Sequence, residues 1–230
     1  MTTLFRLSRR AALVIVSTVA LSACGSLLGP TSAPLQIYVL HPAFGPVANA
    51  PTVQWQFGVT APVSPAVFDS KRLSLTRGQT MDYYADAAWP DQTPDILQGL
   101  IVEAFEKSGK IKAVGRGSAG VRADILVMTE IRDFSAHYDS ENGIPTIVVD
   151  LSAKLITATR HDVIASYDAR REVKASVNSV PAVVAAFNDA TGQSVNDIVA
   201  WALTNATPQA SDALPPTTAE PVHRRHRRHH

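Results

Sequence analysis

The sequence predicts an α+β domain: a two-layer, largely antiparallel sheet with two main helices packed on one face. Three long stretches alternate apolar and polar residues, the pattern of strands with one buried side. Two other stretches repeat apolar residues at helical spacing behind proline-containing starts. The order of these stretches is strands, helix, strands, helix, which suits segregated layers better than a parallel, doubly wound sheet.

The elements follow in chain order. Residues 35–40 (LQIYVL) read as a short strand stopped by His41-Pro42. Val53, Trp55, Phe57 and Val59 alternate with Gln54, Gln56 and Gly58, a second strand with one apolar face. Residues 73–76 and 80–84 flank Arg77-Gly78-Gln79, the signature of a hairpin. Thr93 and Pro94 open the first helix, with Thr93 as its expected cap. Ile96, Leu97, Leu100, Ile101, Ala104 and Phe105 make its apolar stripe, and Gly109 ends it. A short strand at 111–114 precedes the three long ones, at 123–137, 146–159 and 163–175. In the middle one Ile147, Val149, Leu151, Ala153 and Leu155 face one way, so Leu151 and Leu155 are expected in the core against Leu100 or Phe187. Ser179 and Pro181 begin the second helix, which runs to Leu203 with Gly192 as a candidate interruption.

The ends read differently from the body. Arg6, Arg9 and Arg10 precede an apolar run at 11–20, too short to span a hydrocarbon core of roughly 30 Å as a helix. That is the layout of an export signal. It ends in Leu21-Ser22-Ala23-Cys24, which holds the only cysteine of the chain. These four residues resemble the lipobox of bacterial lipoproteins, which implies cleavage between Ala23 and Cys24 and lipid on the Cys24 thiol. Gly25 follows where an aspartate would favour the inner membrane in enterobacteria, so the resemblance leans towards the outer membrane. Four segments are expected: a signal peptide at 1–23, a lipidated tether at 24–34, one domain at 35–206, and a Pro-rich and Arg/His-rich disordered tail at 207–230.

Composition narrows the function. Apolar residues make up 46% and charged ones 18%, as in a globular domain. The net charge of +1 is misleading: without the three signal arginines and Arg224, Arg225, Arg227 and Arg228, 14 basic residues face 20 acidic ones. A body near −6 offers no basic patch for nucleic acid. Once Cys24 carries lipid, neither disulfide nor thiol chemistry remains.

No motif for catalysis stands up. Gly115, Gly117 and Gly120 have G-x-G-x-x-G spacing, but a strand pattern follows where dinucleotide binding needs a helix. Arg116 stands where a nucleophile elbow around Ser118 needs glycine. His41, His137 and His161 are isolated in sequence. His223, His226 and His229 lie among four arginines that would repel a metal cation. No catalytic residue, metal site or cofactor is therefore expected. Tyr83, Tyr84 and Trp89 cluster before the first helix; core packing is the default reading for each, and a partner or lipid-binding surface is the alternative.

Several stretches together resemble the ABC-type transport auxiliary lipoprotein family. They are Phe68-Asp69-Ser70-Lys71-Arg72, the run from Met81 through Tyr83, Tyr84 and Trp89, the Pro94 helix, Asp133-Phe134, Pro145, and Ala185-Ala186-Phe187-Asn188. The resemblance covers about 35–203. It implies a non-enzymatic periplasmic lipoprotein, anchored in the membrane by its N-terminal lipid. Such a protein would accompany an ABC permease and ATPase and dock an MCE-domain substrate-binding protein, in the movement of lipid between inner and outer membranes. It also leaves room for a homo-oligomer. Two other classes stay open: a lipoprotein that activates a cell-wall enzyme, and a hydrolase whose site is assembled from distant residues.

Overall fold

The computed structural model describes residues 34–117 and 122–206, and the compact unit begins at Gln36. Ten elements follow: β1 (Gln36–Ile37), β2 (Gln56–Val59), β3 (Arg72–Arg77), β4 (Thr80–Ala88), α1 (Thr93–Ser108), β5 (Ala113–Arg116), β6 (Ile125–Tyr138), β7 (Thr146–Thr157), β8 (Val163–Lys174) and α2 (Val180–Asn205). The α+β expectation holds. The long ladders, β6 with β7 and β7 with β8, are antiparallel, while the pairings of β1 with β4, β2 with β5, and β6 with β2 and β3 are short and parallel.

The sheet forks at β6. One edge of β6 pairs with β7 along nearly its whole length. The other edge is shared: residues 125–127 pair with β2, and residues 135–138 with β3. Val63 fills the gap, its N–H donating to Thr129 O and its carbonyl accepting from Ile131 N. Backbone groups along this buried edge thus find partners. From β3 the sheet continues to β4 and β1, and from β2 to β5.

A β-bulge between Ile131 and Asp133 adjusts the phase of β6. Before it Ile125, Val127 and Ile131 face the core, and after it Phe134, Ala136 and Tyr138 do. Strict alternation would have turned Phe134 to solvent. Instead Phe134, Phe187 from α2 and Trp89 form one aromatic cluster, with ring centroids 4.9, 5.5 and 6.3 Å apart. Leu151 and Leu155 are buried with it, as their alternation predicts.

Both helices form where expected, with differences at their starts. Gln92, not Thr93, is the residue before the first turn of α1, and it supplies no side-chain cap. The Thr93 hydroxyl instead donates to Ser70 O at 3.2 Å, tying the helix to the β3 approach. Gly109 closes α1 in the left-handed conformation. Ser179 caps α2 by accepting from Ala182 N. Gly192 does not interrupt α2; a Cβ there would stand 2.9 Å from Ala43 O and 3.3 Å from Pro42 Cβ. The glycine lets the loop after β1 lie directly on the helix. The His41 N–H donates to Asn188 Oδ1 one turn earlier, fixing the same loop. β1 itself is shorter than the apolar run at 35–40 suggests.

Candidate functional site

The helices cover one face of the sheet, and the other face of β6–β8 carries an ion-pair lattice. Arg132, the extra residue of the bulge, reaches Asp168 on β8 at 2.9 Å. Arg170 bridges Asp150 at 3.1 Å and Glu172 at 2.8 Å. Asp133 lies directly across from Asp150, a like-charge pairing that would be unfavourable alone. It is offset because Asp133 accepts from Ser135 Oγ at 2.6 Å and contacts His137 Nε2 at 2.8 Å. The Ser152 hydroxyl, and then the Arg132 guanidinium, hold the Asp168 carboxyl below its ordinary range. That carboxylate is exposed, so solvent screens much of the interaction.

The sign of the effect follows from linkage. A carboxylate whose pKa falls on folding contributes stability above its unfolded pKa, and loses it as pH drops through the folded value. Arg132→Ala should therefore raise the Asp168 titration midpoint towards the unfolded value, read by NMR of the side-chain carboxyl. An unmoved midpoint would show that the ion pair does not act on Asp168.

Ser135, Asp133 and His137 contain the residue types of a hydrolytic triad but not its order. The carboxylate sits between the hydroxyl and the imidazole. Ser135 is fully buried and donates to Asp133, so His137 has no hydroxyl within its hydrogen bonds to activate. His41 is exposed, and His161 occupies a left-handed turn after β7. Among the described residues no group of three or more His, Cys, Asp or Glu could hold a metal ion. Gly115 ends up in β5, and β6 rather than a helix comes next, so no helix start serves the glycine motif. Ser118 and Gly120 lie outside the described residues.

Described residues line depressions at two places beside the sheet. One is an open groove of about 590 Å³ beside α1, lined by Asp91, Asp95, Gly99, Glu103 and Arg116. The other, about 210 Å³, lies on the polar face between Val63, Met128, Glu130, Ser152 and Lys154. Both are shallow surface features.

The aromatic cluster read from sequence separates. Trp89 is 1% exposed and belongs to the core, which corrects its assignment to a partner surface. Its position follows from the end of β4, where the chain turns inward and Trp89 N donates to Lys71 O. Tyr84 is half-buried and anchored inward. Its hydroxyl meets that of Tyr138 at 2.8 Å, and Tyr138 donates to Asn178 Oδ1 at 2.9 Å. Burial, then the Tyr138 hydrogen bond, push the Tyr84 phenol far above its ordinary value. Tyr83, one residue earlier, points the other way. Its ring lies 3.8 Å under the Arg72 guanidinium, and its hydroxyl donates to Val67 O. Ala23 and Cys24, read as the cleavage and lipid-attachment site, lie outside the described residues, as does the Arg/His tail.

The residues of the sequence resemblance prove to be joints. Ser70 O accepts both Thr93 N and the Thr93 hydroxyl, Lys71 pairs with Asp91 at 3.5 Å, and Phe68 is buried. Asp133, Phe134, Phe187 and Asn188 hold the bulge, the aromatic cluster and the loop after β1. What they join is a scaffold whose helices cover one sheet face, while the other, among the described residues, carries paired charges. The chain belongs to the family of ABC-type transport auxiliary lipoprotein components, whose profile matches residues 38–199. That description is of a transport accessory, not of an enzyme class. Protein XCC0632 of Xanthomonas campestris, of known structure, is 31% identical with a TM-score of 0.69, over 73% of this chain and 94% of that one. A second solved structure, of an uncharacterised protein, shares the fold at 10% identity and a TM-score of 0.58, over 73% of this chain and 97% of that one. An uncharacterised protein of Bradyrhizobium diazoefficiens is 25% identical over 157 residues, 68% of this chain but only 41% of that relative. Among the described residues no helix is long and apolar enough to cross a membrane.

Proposed function

We propose that this protein is the lipid-anchored auxiliary of an ABC transport system that moves lipid between inner and outer membranes. It is held by Cys24 at the periplasmic face of the outer membrane and docks an MCE-domain substrate-binding protein, which connects it to the permease and ATPase. The observation that carries this reading is the family match across residues 38–199, nearly the whole folded unit. The open face of β6–β8 supports it: a broad surface of paired charges suits recognition of a complementary protein face more than enclosure of a small molecule.

The test is co-purification of the full chain from its own cells, followed by identification of what comes with it. An MCE-domain protein is expected, and deletion of the gene should weaken the outer-membrane permeability barrier. Reversing Arg170 and Arg132 to Glu should reduce that recovery by tenfold or more, since a disrupted charge pair at an interface costs about 1.4 kcal/mol or more. His137→Ala should leave the barrier intact. Recovery of a peptidoglycan synthase in place of an MCE protein would replace this reading with that of a cell-wall activator.

A further inference from the structure

Leu35, Ile37 and Val39 are exposed by 58%, 54% and 47%, three apolar side chains at a spacing of two. Of their neighbours Gln36 is exposed and polar, whereas Tyr38 packs against the core and Leu40 is buried. A strand with one face in the core normally carries polar residues on the other. Here the outward residues 35, 37 and 39 are all apolar, and β1 is the last strand on its side of the sheet. Of the other large exposed apolar residues among those described, Val63, Ile144 and Val177 lie outside the named strands, and Met81, Met128 and Val163 stand singly on theirs. Across the strands Ile37 stands beside Ala88, and Ala88 beside Arg72, whose guanidinium covers Tyr83. An apolar edge, an aromatic ring with a polar tip and a cation therefore come together at one corner of the sheet. That combination is favoured at a bilayer interface, where rings sit among headgroups and cations meet anionic lipid.

We infer that this corner rests on the bilayer, with Ile37 and Val39 in the interfacial layer and Arg72 among the headgroups, so that the domain has a fixed orientation on the membrane. The inference rests on the reading of Cys24 as the lipid-attachment site. Ten residues, 25–34, separate Cys24 from Leu35. Even fully extended they reach no more than about 35 Å. A folded unit of this size has a radius of gyration of about 16 Å, so it is roughly 40 Å across. The tether is shorter than the domain is wide, and the β1 corner is the part kept closest to the lipid. Held there, the face needs little intrinsic affinity, because the anchor supplies a high effective concentration of membrane.

The single cysteine of the chain is taken by the lipid, so an introduced thiol is unique. Lipidated full-length protein carrying Ile37→Cys, Val39→Cys or, at the opposite edge of the sheet, Ser166→Cys would be labelled with an environment-sensitive nitrobenzoxadiazole dye. It would then be reconstituted into vesicles of phosphatidylethanolamine and phosphatidylglycerol. At positions 37 and 39 emission should shift to shorter wavelength and lose intensity when shallow doxyl-labelled lipid is included, while position 166 should show neither change. Far-ultraviolet dichroism of each variant checks that it is folded. Flotation with the vesicles reports the anchor separately. Protein that floats but shows no lipid-dependent quenching at 37 and 39 overturns the orientation while leaving the anchor standing. Protein that does not float overturns the anchor, and the orientation with it. A blue shift without lipid quenching, together with a particle mass of several copies, would assign the corner to self-association and likewise overturn contact with lipid.

Discussion

Trp89→Ala should destabilise the domain by about 3–5 kcal/mol, a large part of the 5–15 kcal/mol that such a domain has in total. Trp89 is 1% exposed and meets Phe187 edge-on at 5.5 Å and Phe134 at 6.3 Å. Those rings come from α2 and β6, and β6 is the strand at which the sheet forks. Truncation leaves a cavity at the junction of both layers that the helices cannot close without losing their own contacts. Tyr83→Ala gives the contrast. It removes one hydrogen bond to Val67 O and one stacked guanidinium, both near solvent. Its cost should be about 1–2 kcal/mol. Urea unfolding followed by circular dichroism measures both. Equal losses would mean that the two aromatics share one environment, against the burial described above.

The second large effect concerns Cys24→Ser. Wild-type protein should sediment with membranes and resist extraction by high salt and alkaline carbonate. The variant should appear as uncleaved precursor, or in the soluble fraction if another peptidase acts. A bacterial lipoprotein of the kind its signal resembles carries three acyl chains, and each buried methylene contributes about 0.8 kcal/mol. Removing all three takes away far more than any apolar corner of the domain could restore. Mass spectrometry of the mature N-terminus should find the diacylglyceryl thioether. An unmodified N-terminus at another residue, with the protein still firmly in the membrane, would mean that something other than Cys24 holds it there.

Periodic elements were the legible part of this sequence. The stripe from Ile96 to Phe105 and the alternation from Ile147 to Leu155 each depend on local spacing alone, and both helices and the long strands form accordingly. The fork was not legible, because pairing Phe57 with Ile125 or Ser74 with Ser135 depends on contacts more than 60 residues apart. The bulge left a faint signal. Apolar residues fall at 125, 127 and 131, then at 134, 136 and 138, and the single change of phase marks Arg132. The aromatic trio misled for a related reason. Tyr83, Tyr84 and Trp89 are close in sequence, but alternation sends Tyr83 and Tyr84 to opposite faces, and the turn after β4 buries Trp89. Ion pairs such as Arg132 with Asp168 had visible members and invisible partners, since only the register of three strands brings them together.

The fork at β6 also sets an order of assembly. β6, β7 and β8 are neighbours in sequence and can pair by simple hairpin closure, which is fast. β2 and the β3–β4 hairpin come earlier in the chain, yet each needs an edge of β6 that does not exist until residues up to Tyr138 are present. A chain that emerges from its N-terminus therefore holds Phe57, Val59, Leu73 and Leu75 without their sheet while the next 60 or so residues follow. Exposed strands of this composition associate readily with other chains. The first third of the protein is thus the part in most need of a holding chaperone until β6 arrives.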